Sequence, residues 1–362
     1  MKIESKLLVK AKDIIPTRKT LRVRGVFNPS AVRLPNKKIM LLVRVAETPY
    51  HDEKTFLAPH FVGTKEMDIH VEKTHREKLK IYDDCFRTDE DIVRLPTISH
   101  IRKIFMDETG MNVESISDKP DFYGLKGDGD FGVEDPRVTY FKKEKRYAMT
   151  YVSVSTLSGV STSLATTKNF NDWKREGIIF RQQNKDVVIY PEKINGYYAA
   201  MHRPEGTMVF DKPRIWISYS KDLIFWGRDK PLLGPRKQGW DNLRIGPGSV
   251  PIKTNEGWLE IYHGVHLKKK NDPNSDKVYN AGAILFDLKN PEKIIGRTPA
   301  NKPIFKPNKK LESGNAFNDN VTFPSAVIPD LNNKDLLIYS GEGDSNTSVR
   351  KIKLKDILNS LK

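Results

Sequence analysis

Leu164-Ala165-Thr166-Thr167-Lys168-Asn169-Phe170-Asn171-Asp172-Trp173 lines up with Ile217-Ser218-Tyr219-Ser220-Lys221-Asp222-Leu223-Ile224-Phe225-Trp226, and the two tryptophans are 53 residues apart. Both copies read as a strand, a Lys-Asn or Lys-Asp turn, and then a tryptophan. A unit of short strands recurring at this interval marks a β-propeller blade. Working outward, short apolar runs recur between turn signals at 178–180, 187–190, 197–201, 214–219, 258–262, 281–286 and 336–339. Helical periodicity over more than two turns is confined to the C-terminus, around 354–358. At about 70 residues per blade including loops, 362 residues would give about five blades. The expectation is an all-β chain: one five-bladed β-propeller over residues 1–362, with a long insertion in its N-terminal third and a short C-terminal helix. Two chance hairpins in a β-sandwich are the weaker reading.

Towards the N-terminus, Val26-Phe27-Asn28-Pro29-Ser30-Ala31-Val32 leads through a turn at 35–38 into an apolar strand ending on Arg44 and Glu47. Such a pair reads as a rim ion pair or as a ligand-facing pair. Residues 48–120 are dense in charge and carry the least pattern; a long loop or small helical insertion is expected there. His51, His60, His70 and His75 lack HExxH spacing and read as surface or core histidines, so no metal site is expected. Residues 97–105 read as strand or short helix.

The composition is that of a soluble globular chain, 38% hydrophobic and 30% charged. No apolar stretch reaches 18 residues, so no membrane span is expected. The N-terminus lacks the apolar core of a secretory signal. A single cysteine, Cys85, rules out an intramolecular disulfide and suits a cytoplasmic location. The net charge of +16 comes from lysines spread along the whole chain. With no zinc spacing, RNP-type motif or basic heptad region, nucleic acid is not an expected partner.

Four stretches carry chemistry. Gly132-Val133-Glu134-Asp135-Pro136-Arg137 follows a Gly-Asp-Gly-Asp turn and opens a strand. Two adjacent carboxylates beside an arginine can divide their roles, one protonated and one held ionised; the plain alternative is a turn with a surface ion pair. Residues 184–204 form a hairpin on an Asn195-Gly196 turn. Lys185 and Arg203 lie at its two ends with Arg181 close by, a set suited to binding an anion. His263 ends an apolar strand before Gly264. Asp344 lies in a glycine-rich loop, where it can bind sugar hydroxyls or cap the turn.

Together these pieces resemble glycoside hydrolase family 130, the β-mannoside phosphorylases and related mannosidases, from about Asn28 to about Asp344. The resemblance rests on Phe27-Asn28-Pro29-Ser30-Ala31, Glu134-Asp135-Pro136-Arg137, Lys185-Asp186 with Pro191-Glu192-Lys193, His202-Arg203-Pro204, the run from Trp216 to Trp226, Gly257-Trp258 with His263-Gly264-Val265, and the run from Tyr279 to Asp287. It implies a central funnel in which inorganic phosphate cleaves a β-mannosidic bond with inversion, giving α-mannose 1-phosphate and a shortened acceptor. By this resemblance Asp135 is the acid, its proton reaching the glycosidic oxygen through a sugar hydroxyl. Arg203 and His263 map onto phosphate-binding positions, with Arg181 and Lys185 as further candidates. Asn28, Arg44, Glu134 and Asp344 map onto substrate-contacting positions. One carboxylate suffices when phosphate is the nucleophile, whereas an inverting hydrolase needs a second as base for water. Hydrolytic members replace the phosphate-binding positions; Arg203 and His263 stand here, which favours phosphorolysis. The alternatives are a β-mannosidase using water and a non-catalytic carbohydrate-binding propeller. The partners implied are a β-mannoside oligosaccharide, phosphate as co-substrate and α-mannose 1-phosphate, with no other cofactor and room for a homo-oligomer. Ser249-Val250 and Asn318-Asp319-Asn320 depart from the family pattern, so linkage (β-1,4 or β-1,2) and acceptor stay open.

Overall fold

The computed structural model describes residues 1–50, 54–76, 79–81, 85–88, 90, 92–205, 210–270, 272, 274–312 and 318–361. The fold is all-β. Among the described residues, helix is limited to a 3-10 turn, Ala11–Asp13, the 3-10 residue Arg76 and the C-terminal Leu354–Asn359.

Most strands join in antiparallel runs of four. Asn184–Ile189, Tyr198–Pro204, Ile215–Ser220 and Trp226–Leu233 form one such sheet in chain order. In the next, Arg244–Pro247 and the short Ile252–Lys253 both pair with Trp258–Leu267, followed by Lys277–Phe286 and Ile294–Arg297. The last runs Thr322–Pro329, Asp335–Glu342, Asn346–Lys353, and takes Ile3–Val9 as its outer strand. An eight-stranded sheet holds Leu21–Arg33, Ile39–Pro49, Ile98–Met106 and Val113–Ile116 on one side and Gly132–Phe141 to Lys174–Phe180 on the other. Its two halves meet at a single parallel pair, Gly132 with Ser99.

Apolar side chains of these sheets meet in clusters between neighbours. Val26, Val43 and Ile104 pack on Ala326, Leu337 and Val349. Leu42 and Ile101 pack on Val138 and Met149, Ala148 and Leu164 on Ile189 and Ala200, Met201 and Ile217 on Tyr262 and Ile284, and Ile261 and Ala283 on Ile338 and Ile352. Each cluster thus lies between two neighbouring runs of strands. Truncating such a buried aliphatic residue to alanine costs about 2–5 kcal/mol.

The first strand of each run faces the others. Ser325 Oγ donates to Pro29 O (2.7 Å), Val138 N to Ser30 Oγ (2.8 Å), Thr139 Oγ1 to Ile189 O (3.1 Å) and Arg137 Nε to Gly248 O (2.6 Å). Three of these strands break register at the same level, between Phe27 and Ser30, Glu134 and Arg137, and Lys185 and Val188. The break holds a non-glycine residue at positive φ in each case: Asn28 (52°), Asp135 (48°) and Asp186 (60°). A bulge of this kind re-aims a side chain out of strict alternation.

The segment 48–120 carries mainly strands among its described residues, with Arg76 in 3-10 conformation. Thr55–Phe61 pairs with Ile69–His75, three two-residue strands form a small sheet, and Ile98–Met106 belongs to the main sheet. His60 and His70 sit edge to face across the hairpin at 5.2 Å; His51 lies outside the described residues. The Trp173 and Trp226 repeat marks the connection from the third strand to the fourth in two successive runs, with Phe170 (φ 63°) and Leu223 (φ 74°) at equivalent turn positions.

Candidate active site

The bulge at Asp135 explains how two consecutive carboxylates reach one arginine. Arg44 NH2 donates to Glu134 Oε1 at 2.6 Å and NH1 to Asp135 Oδ1 at 3.4 Å. Asn28 Nδ2 donates to the same Oδ1 at 3.0 Å. Both described hydrogen bonds of this carboxylate therefore fall on Oδ1, which leaves Oδ2 as the oxygen that can serve a substrate. Ser99 Oγ accepts from Arg44 Nε (3.1 Å) and donates to Glu134 Oε1 (3.3 Å), and the guanidinium lies 4.7 Å from the Phe27 ring centre. Burial works against the Arg44 charge, but Glu134, Asp135 and Asp344 outweigh it and raise its pKa. Asp344, at φ 49°, accepts from Asn318 Nδ2 at 2.6 Å. Gly341 makes room for Asn28: a Cβ there would stand 2.2 Å from Asn28 Oδ1.

Two sequence expectations are corrected. The arginine that pairs with the carboxylates is Arg44, not Arg137. The fully buried Arg137 turns inward, giving NH1 to the carbonyls of Asp135 (3.2 Å) and Pro136 (3.0 Å). Arg44 and Glu47 do not pair with each other either, because an offset of three puts them on opposite faces of a strand. Glu47 is fully buried, accepts Thr17 N at 2.6 Å, and lies 3.6 Å from His100 Nε2.

Beside these carboxylates is a group of cations. Lys185 and Arg203 are direct cross-strand partners. Arg203 Nε donates to Asp186 Oδ2 at 2.7 Å, and its NH1 pairs with Glu205. His263 Nε2 stands 3.8 Å from the same Asp186 oxygen. Burial would raise the Asp186 pKa, but Arg203, His263 and Arg137 pull it down to about 2. Burial lowers His263 to about 3, so its imidazole is neutral, and both ring nitrogens are buried without a hydrogen-bond partner among the described residues. Lys185 is held below its usual pKa by burial and then by Arg203, and its charge also feels Glu134, Asp186 and Asp135. Gly246 permits this crowding: a Cβ there would lie 2.4 Å from His263 Cε1 and 2.8 Å from both Arg203 Nε and Asp186 Oδ2.

Asn28, Arg44, Glu134, Asp135 and Asp344 are thus one group, and Lys185, Arg203 and His263 a second beside it. Arg181 is exposed, and no described hydrogen bond or ion pair joins it to them. Sequence reasoning missed Asp186, Glu205, Arg244 and Tyr279. Arg244 Nε is 3.4 Å from Glu205 Oε1, and its NH1 donates to Tyr279 OH at 3.4 Å. A signal was present for the strands that carry much of the site: Asn28-Pro29-Ser30-Ala31-Val32 is echoed by Phe323-Pro324-Ser325-Ala326-Val327, and Asp135-Pro136 and Gly246-Pro247 repeat its start.

Paired carboxylates beside buried cations on an all-β frame suit a carbohydrate-active enzyme that takes an anionic co-substrate. Comparison with known proteins gives the family. A family profile described as β-1,4-mannooligosaccharide phosphorylase matches residues 111–362. A β-1,2-mannobiose phosphorylase of Listeria innocua is 34% identical over 99% of this chain and 97% of its own length. The structure of a β-1,2-mannobiose phosphorylase from Listeria innocua with β-1,2-mannobiose superimposes with a TM-score of 0.87 at 32% identity, covering 100% of this chain and 99% of that one. A 1,2-β-oligomannan phosphorylase of a Thermoanaerobacter species is 36% identical over 62% of this chain and 70% of its own. The chain belongs to glycoside hydrolase family 130.

Proposed function

We propose that this protein cleaves β-mannosides by inverting phosphorolysis, giving α-mannose 1-phosphate and a shortened acceptor, with phosphate as co-substrate. The observation that carries the reading is Lys185. It is a partly buried cation with no ion pair among the described residues, set between the Glu134-Asp135 carboxylates and Arg203. An anion between the acid and Arg203 would satisfy Lys185 and the two unpartnered nitrogens of His263 together.

In this mechanism phosphate, held by Lys185, Arg203 and His263, attacks the anomeric carbon from the face opposite the leaving oxygen. The C–O bond breaks, and the leaving oxygen takes the proton that Asp135 supplies through a sugar hydroxyl. Asn28 and Arg44 hold Oδ1, so the proton is carried on Oδ2. Glu134, neutralised by Arg44, orients rather than reacts. Water hydrolysis lacks a second carboxylate placed as a base, because Asp186 and Glu205 are both committed to Arg203.

The substrate favoured is a β-1,2-linked mannobiose or oligomannoside. The β-1,2-mannobiose phosphorylase relative matches over nearly the whole chain, whereas a β-1,4-mannooligosaccharide phosphorylase of Ruminococcus albus is 31% identical over 63% of it. The architecture proposed is a five-bladed propeller. Five interfacial clusters, each joining one run of strands to the next and the last run to the first, support it. A cytoplasmic location fits the use of phosphate and the single cysteine.

The test is incubation with α-mannose 1-phosphate and glucose, N-acetylglucosamine, mannose or mannobioses, following phosphate release. Release with mannose and a β-1,2-linked product is expected. Phosphate-independent cleavage of mannobiose, without release from any acceptor, would overturn phosphorolysis.

A further inference from the structure

Beneath the site lies a carboxyl that the mechanism does not use. Glu260, on Trp258–Leu267, is fully buried. Its Oε1 accepts Gly248 N at 2.9 Å, and its Oε2 is buried with no hydrogen-bond partner among the described residues. The Gly248 peptide is wedged between strands: a Cβ on Gly248 would stand 2.3 Å from Ile261 O and 2.6 Å from Pro324 O. The carbonyl of the same Gly248 accepts Arg137 Nε at 2.6 Å. Arg137 in turn donates NH1 to the carbonyls of Asp135 and Pro136, and its NH2 is buried without a partner. One unbroken chain of contacts therefore runs from the Glu260 carboxyl, across one glycine, through one arginine, to the backbone of the bulge that aims Asp135.

We infer that Glu260 is a positioning residue: through Gly248 and Arg137 it fixes the Asp135 bulge in the orientation that proton transfer requires. The inference rests on the phosphorylase reading with Asp135 as the acid.

The role depends on Glu260 being uncharged. Burial raises its pKa to about 8, with Asp186 adding to the shift and the Gly248 N–H and Arg137 opposing it. The charged and titratable groups that act on it are Arg137 on Gly132–Phe141, Asp186 on Asn184–Ile189 and the following Tyr190. While Glu260 is neutral, the Arg137 charge serves the Asp135 and Pro136 carbonyls. Ionised, Glu260 adds a second negative charge beside Asp186 and competes for Arg137.

The experiment compares wild type, Glu260→Met and Glu260→Gln in the phosphorolytic assay across pH 6–9, with Tm measured for each. Methionine removes the acceptor for Gly248 N; kcat is expected to fall at least about tenfold with the KM for mannoside within about twofold, as for a displaced acid. Glutamine keeps an oxygen acceptor and stays neutral at every pH. It is expected to recover most of the kcat lost in Glu260→Met and to move the alkaline limb of kcat up by about one pH unit or more. If Glu260→Met does not fold, the glutamine profile alone decides. An active wild type whose pH profile superimposes on that of Glu260→Gln, or whose kcat equals that of Glu260→Met, overturns this role alone. A wild type that releases no phosphate from α-mannose 1-phosphate overturns the phosphorylase reading and this role with it.

Discussion

At the scale of single residues, the site separates two jobs that a sequence places side by side. Glu134 and Asp135 are neighbours, yet Arg44 grips Glu134 closely and Asp135 more loosely, and Asn28 takes the same oxygen of Asp135. Each carboxylate keeps one oxygen outside its described hydrogen bonds, and Asp135, held by Arg44 at 3.4 Å against 2.6 Å for Glu134, is the less tightly paired of the two and the one proposed as the acid. Asp135→Asn is accordingly expected to lower kcat for phosphorolysis by at least about a hundredfold, the scale of losing a general acid. Its Tm should stay close to wild type, since asparagine keeps the acceptor for Asn28 and Arg44. Turnover at the wild-type rate would remove Asp135 from the acid's role.

At the scale of elements, the recurring device is the bulge on an inward strand together with a glycine that lets the next strand approach. Gly246 is the sharpest case. Gly246→Ala would press a methyl group into His263, Arg203 and Asp186. The expected result is a rise of about tenfold or more in the KM for phosphate and a loss of about 1–3 kcal/mol in stability from overpacking. Steady-state kinetics with varied phosphate checks it, and an unchanged phosphate KM would detach Gly246 from the anion site. This scale also shows what could be read from the chain. The third-strand turns were legible because Trp173 and Trp226 repeat a local pattern. Short motifs mark Asp135, Lys185 and Arg203 as candidates, and the structure sets Asp135 beside Arg44 and Lys185 beside Arg203. The partnership of Arg44 with Glu134 was not legible, since it joins strands far apart in sequence through a break in alternation that periodicity cannot register. Arg137 was misjudged for the same reason: proximity in sequence suggested an ion pair, but the bulge sends its side chain to Gly248. The 48–120 segment resisted reading because its strands are short and charged, and Ile98–Met106 gains its burial only from partners elsewhere.

At the scale of the whole molecule, several buried ionisable groups hold a charge state that the unfolded chain would not. Burial lowers the pKa of His100, brings His202 to about 4 and His263 to about 3, against an ordinary 6.5. Their contribution to stability is complete above about pH 6.5 and is lost as the pH falls towards their folded values, at about 1.4 kcal/mol per pH unit for each. Glu260 works in the opposite sense. Its raised pKa makes its contribution complete below about 4.5 and progressively lost as the pH rises to about 8. His202 and His263 together outweigh Glu260 between pH 4.5 and 6.5, so a maximum of Tm is expected near pH 6.5, with a steeper fall on the acid side. A Tm that is flat between pH 5 and 7 would contradict this. A different consequence follows from the strand Ile3–Val9, which pairs with Asn346–Lys353 from Ile3 opposite Ile352 to Val9 opposite Thr347. During synthesis, residues 3–9 leave the ribosome long before their partner exists. They must wait as an unpaired, β-prone segment while every intervening sheet is made, and pair only at the end. This pairing joins an early-made strand to one made more than 300 residues later, a high-separation contact that makes completion of this sheet slow and exposes it to chaperones until the late pairing occurs.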